Sequence, residues 1–349
     1  MRTLVSHTGT RYDVSDPRWK CDSGALLDLE FTPLFTPGDR PGMWRYRAAL
    51  PIENDAHIVS FDEGGTPLTR TTVAGQDIWL KQDHLFPSGS YKDRGASVLI
   101  SRAVELGVDR VVEDSSGNAG AAIAAYCAKA KIGCDIYVPD STSPAKLAQI
   151  EAYGATLHRI PGSREDTANA ALKAAKGQFY ASHVWNPFFF HGTKTFAYEV
   201  VDQLGREPDR VVIPTGNGTL LIGVWIGFND LLAAGRIERI PELIAVQAEN
   251  CAPLHARRNG TDFTTAPTRA EGIAIAEPAR QDQMLDIIGR SGGRIVTVSE
   301  EAIGDALEQA VADGWFIEPT SASALAAIPR LEPAETVVIP LTGHGLKSH

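Results

Sequence analysis

The chain has 349 residues and a net charge of −10, too long for one small core and too acidic to suit nucleic acid or an anionic membrane surface. Its 43% hydrophobic and 22% charged residues match an ordinary water-soluble globular protein. Four cysteines (Cys21, Cys127, Cys134, Cys251) lack paired spacing, which predicts free thiols in a reducing, cytoplasmic setting rather than a disulfide frame.

No apolar run has the form of a signal peptide or the length of a membrane span. Residues 1–62 mix Pro, Gly, Asp and aromatics and read as a small β-rich lead-in packed on the main body. Trp19-Lys20-Cys21-Asp22-Ser23-Gly24 looks like half of a zinc ribbon, but Cys21 has no paired ligand, so no metal is expected. Glu63-Gly64-Gly65-Thr66-Pro67-Leu68 reads as a turn into an extended segment, and residues 77–82 as a strand.

Pro87-Ser88-Gly89-Ser90-Tyr91-Lys92-Asp93-Arg94-Gly95 follows. Ser90 is expected to cap a helix running to about Leu106, with Lys92 in its first turn. The positive end of the helix dipole disfavours a cation there. Such a lysine suits Schiff-base chemistry with a carbonyl cofactor, although a solvated lysine after a loop is the plainer reading. Strands 110–114, 134–139 and 155–159 alternate with helices 117–131, 143–153 and 164–176. Helix 191–204, strand 210–214, helix 218–234 and strand 242–247 continue the rhythm. Strand 294–298, helices 300–313 and 321–328 and strand 336–340 close it. Such βαβα alternation predicts an α/β protein with mostly parallel, twisted sheets flanked by helices. A small lobe is expected over 95–185, and a larger one from 1–94 and 186–349.

Three loops follow predicted strands, where open α/β sheets bind ligands. Ser115-Ser116-Gly117-Asn118-Ala119-Gly120 suits a carboxylate or phosphate at a helix N-terminus, or is a glycine-rich cap. Thr215-Gly216-Asn217-Gly218-Thr219-Leu220 suits a phosphate dianion, and is neither a Walker loop nor a dinucleotide fingerprint. Thr342-Gly343-His344-Gly345 ends the last strand on a polar turn.

Together with Lys92, these stretches, Gly192-Thr-Lys-Thr, Glu318-Pro-Thr-Ser-Ala-Ser and the closing Gly345-Leu-Lys resemble the fold-type II pyridoxal-phosphate (PLP) enzymes, the threonine synthases in particular. The resemblance runs collinearly over nearly the whole chain. It implies two domains with the cofactor in the cleft between them, and a homodimer. Lys92 would carry PLP as a Schiff base and move protons at Cα and Cβ. Asn118 would hydrogen-bond the phenolic oxygen. Amides of Gly216, Asn217, Gly218, Thr219 and Leu220 would hold the cofactor phosphate. Thr342 would face the pyridine nitrogen. Ser115, Ser116 and Gly117 would bind the carboxylate of a small amino-acid substrate.

The pattern departs where the family grips the phosphate of O-phosphohomoserine. In His183-Val184-Trp185-Asn186-Pro187-Phe188-Phe189-Phe190-His191, Phe189 stands in place of an Arg. Ala119 replaces a Thr, and His183 and Val184 replace a polar pair. Two expectations follow. One is threonine synthase, with its phosphate held elsewhere. The other is a paralogue performing elimination, replacement, dehydration or epimerisation on a less charged amino acid, with an apolar group near Phe188–Phe190. A non-catalytic PLP-binding regulator is the rival from another class.

Overall fold

The computed structural model describes residues 2–36, 38–162 and 164–348, with Arg164 described for its backbone alone. The chain divides into two compact units, Met1–Gly64 with Lys92–Thr193, and Gly65–Tyr91 with Lys194–His349. Residues 1–64 thus fall with the first unit, whereas the sequence reading grouped them with the larger lobe. Strands Arg2–Ser6, Arg11–Asp13 and Leu27–Phe31 form an antiparallel sheet with Arg2–Ser6 in the middle. Leu4, Leu27 and Leu29 from that sheet join the same core as Ala96, Val98 and Leu99. A polar tie adds to this apolar one: the buried Trp44 indole lies 2.9 Å from Glu63 Oε1 and 3.0 Å from Ser97 Oγ.

The first unit also holds a four-stranded parallel sheet. Its order is Thr156–Ile160, Gly133–Pro139, Arg110–Glu113, Phe179–Tyr180. Val111, Val112, Ile136 and Val138 fill both faces, as β-branched residues do in a covered parallel sheet. Cys21 is buried, with Ser23 Oγ 3.0 Å from its sulfur. No group of three or more metal-ligating side chains occurs among the described residues.

The second unit is built on six strands in the order Ile295–Val298, Glu242–Ala248, Arg210–Pro214, Val337–Pro340, Gln76–Lys81, Leu68–Val73. All pairs are parallel except the last, an antiparallel hairpin. Ala74 and Gly75 turn that hairpin with φ of +50° and +80°, the left-handed pair that a two-residue turn needs. The Lys81 ammonium is buried and satisfied by Glu199 Oε2 at 2.7 Å, Gln203 Oε1 at 2.9 Å and the Thr66 carbonyl at 2.5 Å. Among the described residues no helix is long and apolar enough to cross a membrane.

One expected helix, 191–204, is two: Pro187–Thr193 and Thr195–Leu204. The break falls where the chain passes from one unit to the other. Each half is held by a glycine at close quarters. Gly192 backs onto the Arg94 carbonyl in the first unit, and Gly227 onto the Lys194 carbonyl in the second. One straight helix does not serve both packings.

Candidate active site

Lys92 is the first residue of helix Lys92–Glu105, which is buried from Asp93 through Ala103. The helix lies so close to its neighbour Pro187–Thr193 that a Cβ at Gly95 would clash with the Phe189 ring. That approach places Phe189 at the head of the helix. Phe189 is 0% exposed, and its ring centroid lies 5.6 Å from Lys92 Nζ. Phe188 and Phe190 are buried too, Phe188 with the Arg102 guanidinium 5.1 Å from its ring. The three phenylalanines are core residues, and Phe189 is the one that borders Lys92. Ser90 departs from expectation. Its hydroxyl is buried with no hydrogen-bond partner among the described residues, so it does not cap the helix.

Beyond strand Arg110–Glu113, Ser115 and Ser116 are half-buried and Gly117 is exposed. Asn118 opens helix Asn118–Ala130, which no side chain caps. A helix N-terminus on such a loop suits an anion, and Ser115 Oγ accepts from the Gly117 amide at 3.3 Å. A Cβ at Gly120 would clash with the Ser115 carbonyl oxygen, so the loop folds back on its own helix with Ala119 buried behind it. His183 is buried, and its Nδ1 lies 2.8 Å from Glu113 Oε1. Sequence reasoning passed over Glu113. Its signal was an acid at the end of a strand whose apolar residues read as buried.

In the second unit the Thr215–Leu220 loop joins strand Arg210–Pro214 to helix Thr219–Ala233. Gly218 has φ +77°, and a Cβ there would meet the Met284 sulfur. This helix, too, has no side-chain cap. Thr219 Oγ1 lies 2.8 Å from the Tyr91 hydroxyl, and the Tyr91 amide donates to the Thr342 carbonyl at 3.0 Å. Ser90 pairs with Gly343, and the His344 amide donates to the Gly89 carbonyl at 2.9 Å. The glycine loop, the terminal Thr-Gly-His-Gly turn and the residue preceding Lys92 are thus one hydrogen-bonded assembly. Thr342 is oriented by the Glu318-Pro-Thr-Ser-Ala-Ser stretch, to which the sequence reading assigned no role of its own. Its hydroxyl donates to Glu318 Oε1 at 2.8 Å, and Ser321 Oγ lies 2.9 Å away.

His344 in that turn stacks on His84 at 5.8 Å between ring centroids. Burial, then His344, push the His84 pKa down to about 4. An unfolded histidine titrates near 6.5, so between about pH 6.5 and pH 4 the unfolded chain binds the extra proton. Stability is therefore full above pH 6.5 and falls as pH drops through that window, by roughly 2–3 kcal/mol from this group. Denaturant unfolding at pH 7 and pH 4.5 measures the loss. His84→Asn is expected to reduce it, and an unchanged pH slope in the variant would remove His84 as its source.

The residues present fit the cofactor that the resemblance implies. There is a lysine at a helix head, two uncapped helix N-termini on glycine loops, and a hydroxyl held by an acid. Comparison with known proteins agrees. Residues 59–343 match the family described as pyridoxal-phosphate dependent enzyme. Threonine synthase of Methanocaldococcus jannaschii is 34% identical over an alignment of 368 positions, covering 97% of this chain and 91% of that protein. Threonine synthase of Mycobacterium bovis is 35% identical over 316 positions, covering 86% and 87%. Among solved structures, maize serine racemase superposes with a TM-score of 0.69 at 20% identity, covering 80% of this chain and 88% of that one, a likeness of fold. The collinear match, with Lys92 and both glycine loops inside it, makes this chain a member of the pyridoxal-phosphate-dependent enzyme family.

Proposed function

We propose that the protein performs PLP-dependent elimination or replacement on an L-amino acid whose side chain is less charged than that of O-phosphohomoserine. One observation carries the restriction. Phe189, which borders Lys92, is a buried phenyl ring, at the position where the resemblance to the threonine synthases implies an Arg. The nearby His183 is engaged by the Glu113 carboxyl at 2.8 Å. A desolvated phosphate dianion without its charged partner loses roughly 2–5 kcal/mol.

Lys92 carries the cofactor and moves the Cα proton. On this reading the amides of Gly216–Leu220 would hold the cofactor phosphate, and Asn118 and Thr342 would supply its other polar partners. Ser115, Ser116 and Gly117 receive the substrate carboxylate, with Ala119 buried behind their loop. The bound cofactor supplies the electron sink that acidifies Cα. The same reading includes a cytoplasmic homodimer, which size-exclusion chromatography with light scattering tests as to assembly.

The names of the curated relatives support a second reading, threonine synthase itself. Titration of the purified holoenzyme separates the two. The visible absorbance of the lysine-linked cofactor is expected to shift with uncharged L-amino acids and to ignore O-phosphohomoserine. Release of phosphate together with threonine would overturn the proposal in favour of the second reading.

A further inference from the structure

Glu113 is the least comfortable charge in the first unit. It ends strand Arg110–Glu113 at 0% exposure. Oε1 is 2.8 Å from His183 Nδ1, and Oε2 is buried with no hydrogen-bond partner among the described residues. Titratable groups face it from every side. Asp114 follows just past the end of its strand, Cys134 lies on strand Gly133–Pro139, and Lys92 heads helix Lys92–Glu105. Cys127 on helix Asn118–Ala130 and Tyr180 on strand Phe179–Tyr180 feel its field as well. A structural ion pair would satisfy both carboxylate oxygens. This arrangement satisfies one, and the other must lose its charge or find a mobile partner. Burial, then Asp114, hold the Glu113 carboxyl well above the ordinary range, and Lys92 pulls the other way. His183 in turn packs edge-on against Phe189 at 6.0 Å, the ring that borders Lys92.

We infer that Glu113 and His183 share one proton, and that His183 delivers it to the leaving group of a β-hydroxy amino acid. The inference deepens the proposed function and rests on Lys92 as the cofactor-bearing lysine. Phosphate departs as a stable anion and needs a cation beside it. Hydroxide is a poor leaving group and needs a proton, which this dyad holds and a guanidinium does not readily give up.

The step balances as follows. Glu113 is the neutral acid, hydrogen-bonded to Nδ1, and Nε2 carries the imidazole proton. Lys92 takes the Cα proton, and the electron pair of that bond becomes the Cα–Cβ double bond. The Cβ–O bond breaks with its electrons on oxygen. The Nε2 proton joins that oxygen to form water while the Glu113 proton moves to Nδ1. A Glu113 carboxylate then faces the Lys92 ammonium, which compensates its charge. Loss of the Lys92 proton to solvent, uptake of one by His183 Nε2 and return of the Nδ1 proton to Glu113 reset the pair. His183 is the catalytic residue in this step, and Glu113 is a positioning residue.

Leaving-group dependence is the test. Holoenzyme is assayed with L-serine and L-threonine, and with β-chloro-L-alanine, whose chloride needs no proton. His183→Asn is expected to slow the hydroxy substrates about 100-fold and chloroalanine less than about 3-fold. Glu113→Gln is expected to flatten the pH profile on the hydroxy substrates, and Glu113→Asp to restore part of the rate. Equal losses on both leaving groups, or wild-type turnover of chloroalanine without any of L-serine or L-threonine, would overturn the inference. Nitrogen-15 spectra of the histidine rings give a readout apart from turnover. The His183 titration is expected to move on Glu113→Gln, and an unmoved titration also overturns the shared proton. Failure of the underlying reading looks different: wild-type protein with added PLP then lacks a Lys92-dependent visible absorbance.

Discussion

Lys92→Ala is expected to abolish the visible absorbance of the lysine-linked cofactor and to cut turnover by about 1,000-fold or more, on the order of 4 kcal/mol in the barrier. The side chain is half-buried at a helix head, so its loss leaves no sealed cavity, and the apoprotein is expected to keep its melting temperature. The holoenzyme would lose the extra stability that a tightly held ligand confers. Lys92→Arg keeps the charge but not an amine able to form the carbon–nitrogen double bond, and is expected to fail equally. Absorbance and turnover surviving in either variant would mean that another group carries the cofactor. Loss of both would leave the idea of a non-catalytic PLP-binding regulator without support, since a regulator has no turnover to lose.

Gly192→Ala is expected to destabilise the protein by about 3 kcal/mol, a large effect for one methyl group. Its cause is where the methyl would go. The Arg94 carbonyl carbon and oxygen and the Gly95 Cα occupy the space, and all three are backbone of the helix that Lys92 heads. A flexible side chain could swing away, but a buried helix backbone cannot, so the two helices must separate. Gly289 supplies the control. It lies in helix Gln281–Arg290, exposed, with only an Arg258 nitrogen within 4 Å of an added Cβ. Gly289→Ala is expected to be neutral or to stabilise by up to about 1 kcal/mol through helix propensity. Denaturant unfolding of both variants decides. Gly192→Ala matching Gly289→Ala would mean that the helix pair adapts more readily than its packing implies.

Much of this architecture is local chemistry and could be read from the chain. Apolar strands such as Arg-Val-Val-Ile-Pro at 210–214 are bounded by turn residues, and the alternation of period 2 with period 3.6 marks a parallel sheet with its helices. Glycines beside Asn and Ser after strand ends mark loops whose amides are free to bind anions. Lys92 was legible for the same reason: its loop and its helix are contiguous in sequence.

The rest needed tertiary structure, because it consists of contacts between residues far apart in the chain. Residues 1–64 share a core with residues 96–99, and no local pattern announces which unit a β-rich segment will join. The split at Lys194 follows from two separate packings acting on one apolar helical stretch. Phe189 read as core or as pocket lining until the close packing at Gly95 set its ring beside Lys92. Glu113 and His183 are 70 positions apart, and Thr342 and Glu318 are 24 apart. By itself the sequence determined the family, and it singled out the candidate lysine and the candidate phosphate-binding loops, because each is a short run whose chemistry is its own. Only the fold decided which acid stands beside which base, since burial and pairing are properties of the packed chain and not of any one segment.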